Sequence, residues 1–193
     1  FGFPIFQGHI ENIKTTISET GERVEIIAED FGATFNRISV HGQRLIKSGI
    51  SSIFLTGQDT MFNPDGKGNA YPEPITVNGK SYTMFCADLL QSKRWNYAEV
   101  IDYLLCEYMP LDECQRPTLD QIKALTENQI VRDLDVTELS LAEALYQCCE
   151  QIGLKFKFAP TLTSIGSNQA IVFYKNDIGR TIELNCQLPG EQL

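Results

Sequence analysis

The chain has 193 residues, of which 42% are hydrophobic and 21% charged, the make-up of an ordinary globular protein that can bury a core without disulfide or metal staples. Its 16 basic and 25 acidic residues give a formal charge of −9, which disfavours nucleic acid and anionic membrane as main partners, since both demand clustered lysine and arginine. No stretch approaches about 18 consecutive apolar residues, so no membrane span is expected.

There is no initiator methionine and no signal-peptide pattern, and the opening FGFPIF is already strand-like. The chain therefore reads as a fragment of a longer one, from which a leader could have been lost. Residues 5–17 form a long apolar-polar alternation read as a strand, with Gly8 as a candidate bulge. Gly21 marks a turn, and Val24, Ile26 and Ala28 alternate through a second strand. Asp30-Phe31-Gly32 breaks it, a short turn or a single helical turn covers Ala33 to Arg37, Ile38 to Val40 is a third strand, and His41-Gly42 leads into a fourth around Arg44 to Ile46. Another strand is expected around Ile53 to Leu55. Phe62 to Pro74 is dense in Asn, Pro, Asp and Gly and reads as a multi-turn loop. Asn78-Gly79, between ITV and KSYTMF, is the strongest hairpin signal in the chain.

The character then changes. Asn96 with Glu99 makes a capping box, with Trp95 placed to staple against Val100. Tyr97, Val100, Ile101, Leu104, Leu105 and Tyr108 form the apolar stripe of the helix that follows, and Pro110 ends it. Thr118 with Gln121 caps a short helix through Leu119, Ile122 and Leu125. The clearest unit is 133–158, DLDVTELSLAEALYQCCEQIGLKFKF: a leading strand, a helix capped by Ser140 and Glu143, a glycine stop at Gly153, and an alternating strand through Leu154, Phe156 and Phe158. After Pro160 a polar connection is expected, then Ala170 to Tyr174 and Thr181 to Asn185 as a last hairpin. The order implies an α+β fold: an antiparallel β-barrel-like or strongly twisted sheet with a helical insert and a βαβ unit. Three regions follow: a β-rich domain at 1–87, a helical and βαβ region at 88–160, and a β-hairpin at 161–193 returning to a sheet.

No constellation of residues marks a reaction. The six cysteines, Cys86, Cys106, Cys114, Cys148, Cys149 and Cys186, form no C-x-x-C pair and match no zinc spacing. They read as buried free thiols folded in a reducing compartment, with a partial disulfide set left open by their even number. His9 and His41 have no neighbouring ligand at metal spacing. The loop Asn63 to Asn69 places hard oxygens in a glycine-rich turn, but it lacks the calcium-loop pattern and closing glutamate, and Lys67 would oppose a cation. Gly66 and Gly68 do not open a helix, so no phosphate loop is expected. A carboxylate pair such as Glu25 with Asp30 would serve a glycosidase only at the right separation. Lys155, Lys157, Lys175 and Arg180 read as a solvated sheet face, and Trp95 as a core anchor. The catalytic, cofactor and metal assignments are accordingly none.

The segments FPIFQGHIENIKTTIS, ERVEIIAEDF and NRISVHGQ, with the helix Trp95-Asn96-Tyr97-Ala98-Glu99-Val100-Ile101 carrying Leu104 and Leu105, resemble the first β-barrel region of phage-tail baseplate hubs and the related spike base of type VI secretion. That resemblance covers residues 5–46 and 95–109. It implies a non-catalytic structural assembly module, protein partners, a homo-oligomer that is trimeric if hub-like, and a location in a cytoplasmic assembly or virion-like particle. The chain departs from typical hubs in being shorter and richer in cysteine. Separately, residues 133–158 resemble the βαβ modules at the periplasmic end of secretins and TonB-dependent receptors, which implies a periplasmic interaction module instead. A carbohydrate-acting enzyme is a third alternative, resting only on the abundance of carboxylates.

Overall fold

The computed structural model describes residues 8–19, 21–47, 51–66, 75–77, 79–84, 94–110, 114–163 and 166–175. It is an α+β protein. In chain order the elements are β1 (His9–Ser18), β2 (Gly21–Glu29), α1 (Phe31–Arg37), β3 (Gly42–Lys47), β4 (Ser51–Thr56), β5 (Met61–Phe62), β6 (Ile75–Val77), β7 (Lys80–Met84), α2 (Tyr97–Tyr108), β8 (Cys114–Gln115), α3 (Leu119–Thr126), β9 (Leu134–Asp135), α4 (Leu141–Gln151), β10 (Leu154–Thr163) and β11 (Gly166–Lys175). Among the described residues the strands form four small sheets, in the orders β1-β2, β4-β3-β7-β6, β5-β9 and β10-β11-β8. None of them closes into a barrel. No described helix is long and apolar enough to cross a membrane.

The helices are set by their caps. At all three expected N-caps, Asn96, Thr118 and Ser140, the side chain accepts from the backbone N–H three residues on while the residue there reaches back to the cap. Two of the orphan donors that every helix start leaves are thereby satisfied. Gly153 takes φ +66° with open space where a Cβ would stand, and this lets the chain leave α4 directly into β10. The apolar stripes then define the core. Val100, Ile101, Leu104 and Leu105 of α2, Ile122 of α3, and Leu141, Ala144, Leu145 and Cys148 of α4 are fully buried. Each side chain the size of leucine contributes about 1.5–3 kcal/mol by leaving water. Across the β10–β11 pair, Leu154, Phe156, Ile171 and Phe173 close the core from the sheet side. Phe35 of α1 meets Phe158 edge-on at 4.9 Å.

Several local expectations are corrected. The bulge lies at Glu11, between the pairs Ile10↔Ala28 and Asn12↔Ile27, not at Gly8, which precedes β1. The helical turn begins at Phe31 because Phe31 and Phe35 both turn into the core. Ile38 to Val40 makes no sheet. It clamps the start of α4 through a single bridge, Ser39 to Ser140, with Val40 N–H donating to the Leu139 carbonyl at 2.8 Å. The loop from Phe62 contains a short strand, Met61–Phe62, paired with Leu134–Asp135. The polar segment after Pro160 continues as strand: β10 and β11 stay in register from Leu154↔Lys175 to Thr163↔Gly166. Proline fits there because β10 is an edge strand of its sheet and loses no ladder bond on its outer side. Asn78 and Thr181 to Asn185 lie outside the described residues, while β6 and β7 pair antiparallel as expected, with Gly79 at φ +73°.

Candidate docking surface

The feature that the core does not account for is the β1–β2 ribbon. Its register is continuous from Asn12↔Ile27 to Ser18↔Gly21, and Ser18 Oγ donates to the Gly21 carbonyl at 3.2 Å beside its tip. Residues directly opposed in an antiparallel pair point to one side, and the side alternates along the strand. Ile13, Thr15, Ile17, Val24 and Ile26 therefore share a face, with Glu22 on it near the tip opposite Ile17. The bulge at Glu11 keeps Ile10 and Ala28 on it as well. Asn12, Lys14, Thr16, Arg23, Glu25 and Ile27 share the other.

The first face is apolar and lies in solvent: Ile10, Ile13, Ile17, Val24 and Ile26 are 61%, 58%, 80%, 55% and 59% exposed. Single exposed aliphatics are ordinary, but a contiguous row on one face marks an interaction surface. A bare two-stranded ribbon is at best marginally stable in water. Covering the five side chains would yield on the order of 9 kcal/mol before the costs of association.

The root of the ribbon is oriented by α1. Arg37 reaches Glu29 at 2.5 Å and the bulged Glu11 at 3.4 Å. These pairs are solvent-exposed, so they set direction more than stability. His9 lies 6.1 Å from Phe31, ring to ring, at the same root. No signal in the sequence separates this exposed alternating hairpin from one whose apolar face is covered. The pattern is identical in both.

The other candidate residues are dispersed. Among the described residues no group of three or more His, Cys, Asp or Glu could hold a metal. Glu25 stands opposite Lys14 in mid-ribbon while Asp30 lies beyond the root. The two are on the order of 15 Å apart at strand rise, beyond the span of a glycosidase pair. Asn63 does not face a cation site. It sits buried at φ +49°, with Nδ2 donating to the carbonyls of Trp95 (2.9 Å) and Val131 (2.6 Å) and Oδ1 accepting from Trp95 N–H (2.8 Å). Residues 67–70 of that loop lie outside the described residues. Trp95 is a core anchor, edge-on to Phe62 at 5.1 Å and to Tyr103 at 5.5 Å. Lys157 lies over the Tyr174 ring at 5.8 Å, Lys175 pairs with Glu127, and Arg180 is outside the described residues.

Sequence reasoning missed a polar cluster in a hollow of about 280 Å³ beside α2. Arg44 grips Glu107 with Nε and Nη2, both at 2.6 Å, and Tyr103 Oη accepts from Arg44 N–H at 2.8 Å. The hydrogen bonds that Arg44 donates to Glu107 raise its pKa further, and burial pushes the Tyr103 phenol well above its usual value. Cys106 meets Arg116, with Asp102 nearby; burial first and then Asp102 push its thiol up, the reverse of an activated thiolate. Burial likewise raises Cys114 to about 11 and Cys149 to about 12. These groups lock elements together, and none is arranged as a nucleophile beside a base. Compared with family models, curated proteins and solved structures, the chain matches none.

Proposed function

We propose that this chain is a non-catalytic structural assembly module, a hub-like component of a phage tail or phage-derived injection apparatus, working through protein–protein contacts in a homo-oligomer. The observation that carries the reading is the β1–β2 ribbon, which holds five aliphatic side chains in water along one face. An arm of that kind lowers its free energy only by being covered. The polar clusters of the body support the reading from the other side, since their charges are spent on one another. The hub-like specificity rests on the sequence resemblance over 5–46 and 95–109, and the ribbon lies inside the first of those stretches.

The periplasmic module has less support. It requires 133–158 to stand as a separable unit, whereas β9 pairs with β5, β10 pairs with β11, and α4 is buried against α1 and α2. The test is the mass of the chain in solution and after cross-linking, together with the neighbours of its full-length gene. Self-association with tail genes alongside is expected. A strict monomer at about 100 μM with no cross-linked species, in a cluster of metabolic genes, contradicts it.

A further inference from the structure

We propose that the outer edge of β10 is a strand-addition site, where an extended segment of a partner protein, alternating apolar and acidic residues, pairs beside Leu154 to Phe158. This surface is separate from the β1–β2 ribbon, and the proposal stands independently of the assembly reading. β10 ends the order β10-β11-β8, so among the described residues one of its edges has no neighbouring strand. An open edge of this kind accepts a peptide through main-chain hydrogen bonds, and pockets for alternate side chains select the sequence.

The register fixes which backbone groups the edge offers. In an antiparallel ladder two opposed residues turn their N–H and C=O groups either toward each other or away. Ile171, opposite Phe158, turns its N–H away from β10, toward the Cys114 thiol on the β8 side. Phe158 therefore turns its own groups away from β11, and by the same alternation so do Phe156 and Leu154. Among the described residues none of these three makes a backbone bond outside the ladder. Pro160 is next in the row, and having no N–H it ends the series of donors. The addition site is thereby bounded by Gly153 on one side and Pro160 on the other.

The side chains on either side of the edge select the occupant. On the inner side Leu154 and Phe156 border a hollow of about 650 Å³ shared with Tyr146 of α4. Tyr146 is 58% exposed and lies 4.5 Å from Phe156, ring to ring, so an apolar residue opposite Phe156 covers both. Glu150 lines the same hollow and disfavours an acid on this side. On the outer side Lys155 and Lys157 are exposed, with Lys157 over the Tyr174 ring. Residues opposite them share their face, and acids there make favourable cross-strand pairs. The same lysines select against a second copy. Pairing β10 with its own copy would crowd the lysines of both onto one face, the usual way an edge is guarded. Neither ribbon strand has two successive acids on the face opposite its aliphatics: β2 reads Arg23, Glu25, Ile27 and Glu29, and β1 reads Asn12, Lys14 and Thr16.

The experiment titrates the full chain into two labelled peptides, one alternating valine with glutamate and one alternating valine with lysine, and follows fluorescence anisotropy. The wild type is expected to bind the glutamate peptide at least about tenfold more tightly than the lysine peptide. Lys155→Glu with Lys157→Glu, two exposed positions, is expected to reverse that preference. Ile17→Lys in the ribbon is expected to bind as the wild type does, so a failure of the assembly reading leaves this result untouched. Residue-resolved amide exchange then reads the geometry. Saturation with the glutamate peptide should slow Leu154, Phe156 and Phe158 and leave Lys155 and Lys157, already bonded to β11, unchanged. A wild type that binds neither peptide up to about 1 mM overturns the proposal. Binding without the alternating protection overturns strand addition, and a preference that the double variant does not reverse overturns the charge selection. Protection of the same three amides by raising the concentration of the chain alone would make the occupant a second copy and overturn the partner strand.

Discussion

Replacing Asn63 by alanine should destabilise the chain more than any surface change. Asn63 is fully buried and bonds three backbone groups of two segments, Trp95 N–H, Trp95 C=O and Val131 C=O. The Trp95 carbonyl keeps a second donor, Val131 N–H at 3.1 Å. Two groups, Trp95 N–H and the Val131 carbonyl, lose the partner that Asn63 supplied, at about 1–3 kcal/mol each. Asn63 also holds φ +49°, a left-handed conformation that costs a residue with a plain Cβ about 1 kcal/mol more. The total is about 4 kcal/mol, a large share of the ~5–15 kcal/mol that holds a domain folded. In urea, with a slope near 2 kcal/mol per molar, the midpoint should fall by about 2 M. Asn63→Gly, which relieves the backbone strain but still removes the hydrogen bonds, should recover about 1 kcal/mol of the loss. A midpoint shift below about 0.5 M for the alanine variant would refute the reasoning.

Further outcomes follow from the same structure. Arg44→Ala and Glu107→Ala should couple by about 1–2 kcal/mol in a double-mutant cycle, because the pair is bidentate and largely withdrawn from solvent; additive losses would contradict this. Asn96→Ala should cost about 1–2 kcal/mol by urea melt, the upper part of the range for a helix cap, because this cap is buried; a loss under about 0.3 kcal/mol would contradict it. Cys114 and Cys149, raised to about 11 and 12, stay protonated in the native chain where unfolded thiols ionise. The stability linked to them is present in full below pH 9 and is lost as pH rises through 11 and 12, at about 1.4 kcal/mol per pH unit for each thiol. Urea midpoints under reductant should therefore be level near pH 8 and fall steeply by pH 11; a level profile to pH 11 would show that these thiols are not held protonated.

The helical half of this chain was legible because its signals are local. A capping residue and its partner three positions on are read within one turn, and all three boxes form as written. The same holds for the antiparallel pairing of β6 with β7, with Gly79 at φ +73°, and for the stop at Gly153. What escaped depends on distant partners. Ile38 to Val40 has a strand's composition, yet its partner is the segment before α4, about a hundred residues away. Asn63 reads as one more turn residue until the fold brings Trp95 and Val131 to it. The stretch after Pro160 reads as a connection because its residues are polar and follow a proline, both of which an edge strand tolerates. The ribbon's alternation reads as two strands, and β1 and β2 form there. Alternation states that one face is apolar and is silent on what covers it.

The account's central claim is that this apolar ribbon is a contact surface. Hydrogen exchange across residues 9–29, followed as a function of protein concentration, addresses it most directly. Backbone amides there should exchange fast in dilute protein and slow by at least about tenfold once copies associate, while amides of α2 and α4 stay protected throughout. Exchange in the ribbon that is equally fast at every concentration, with the rest of the chain associating, would contradict it.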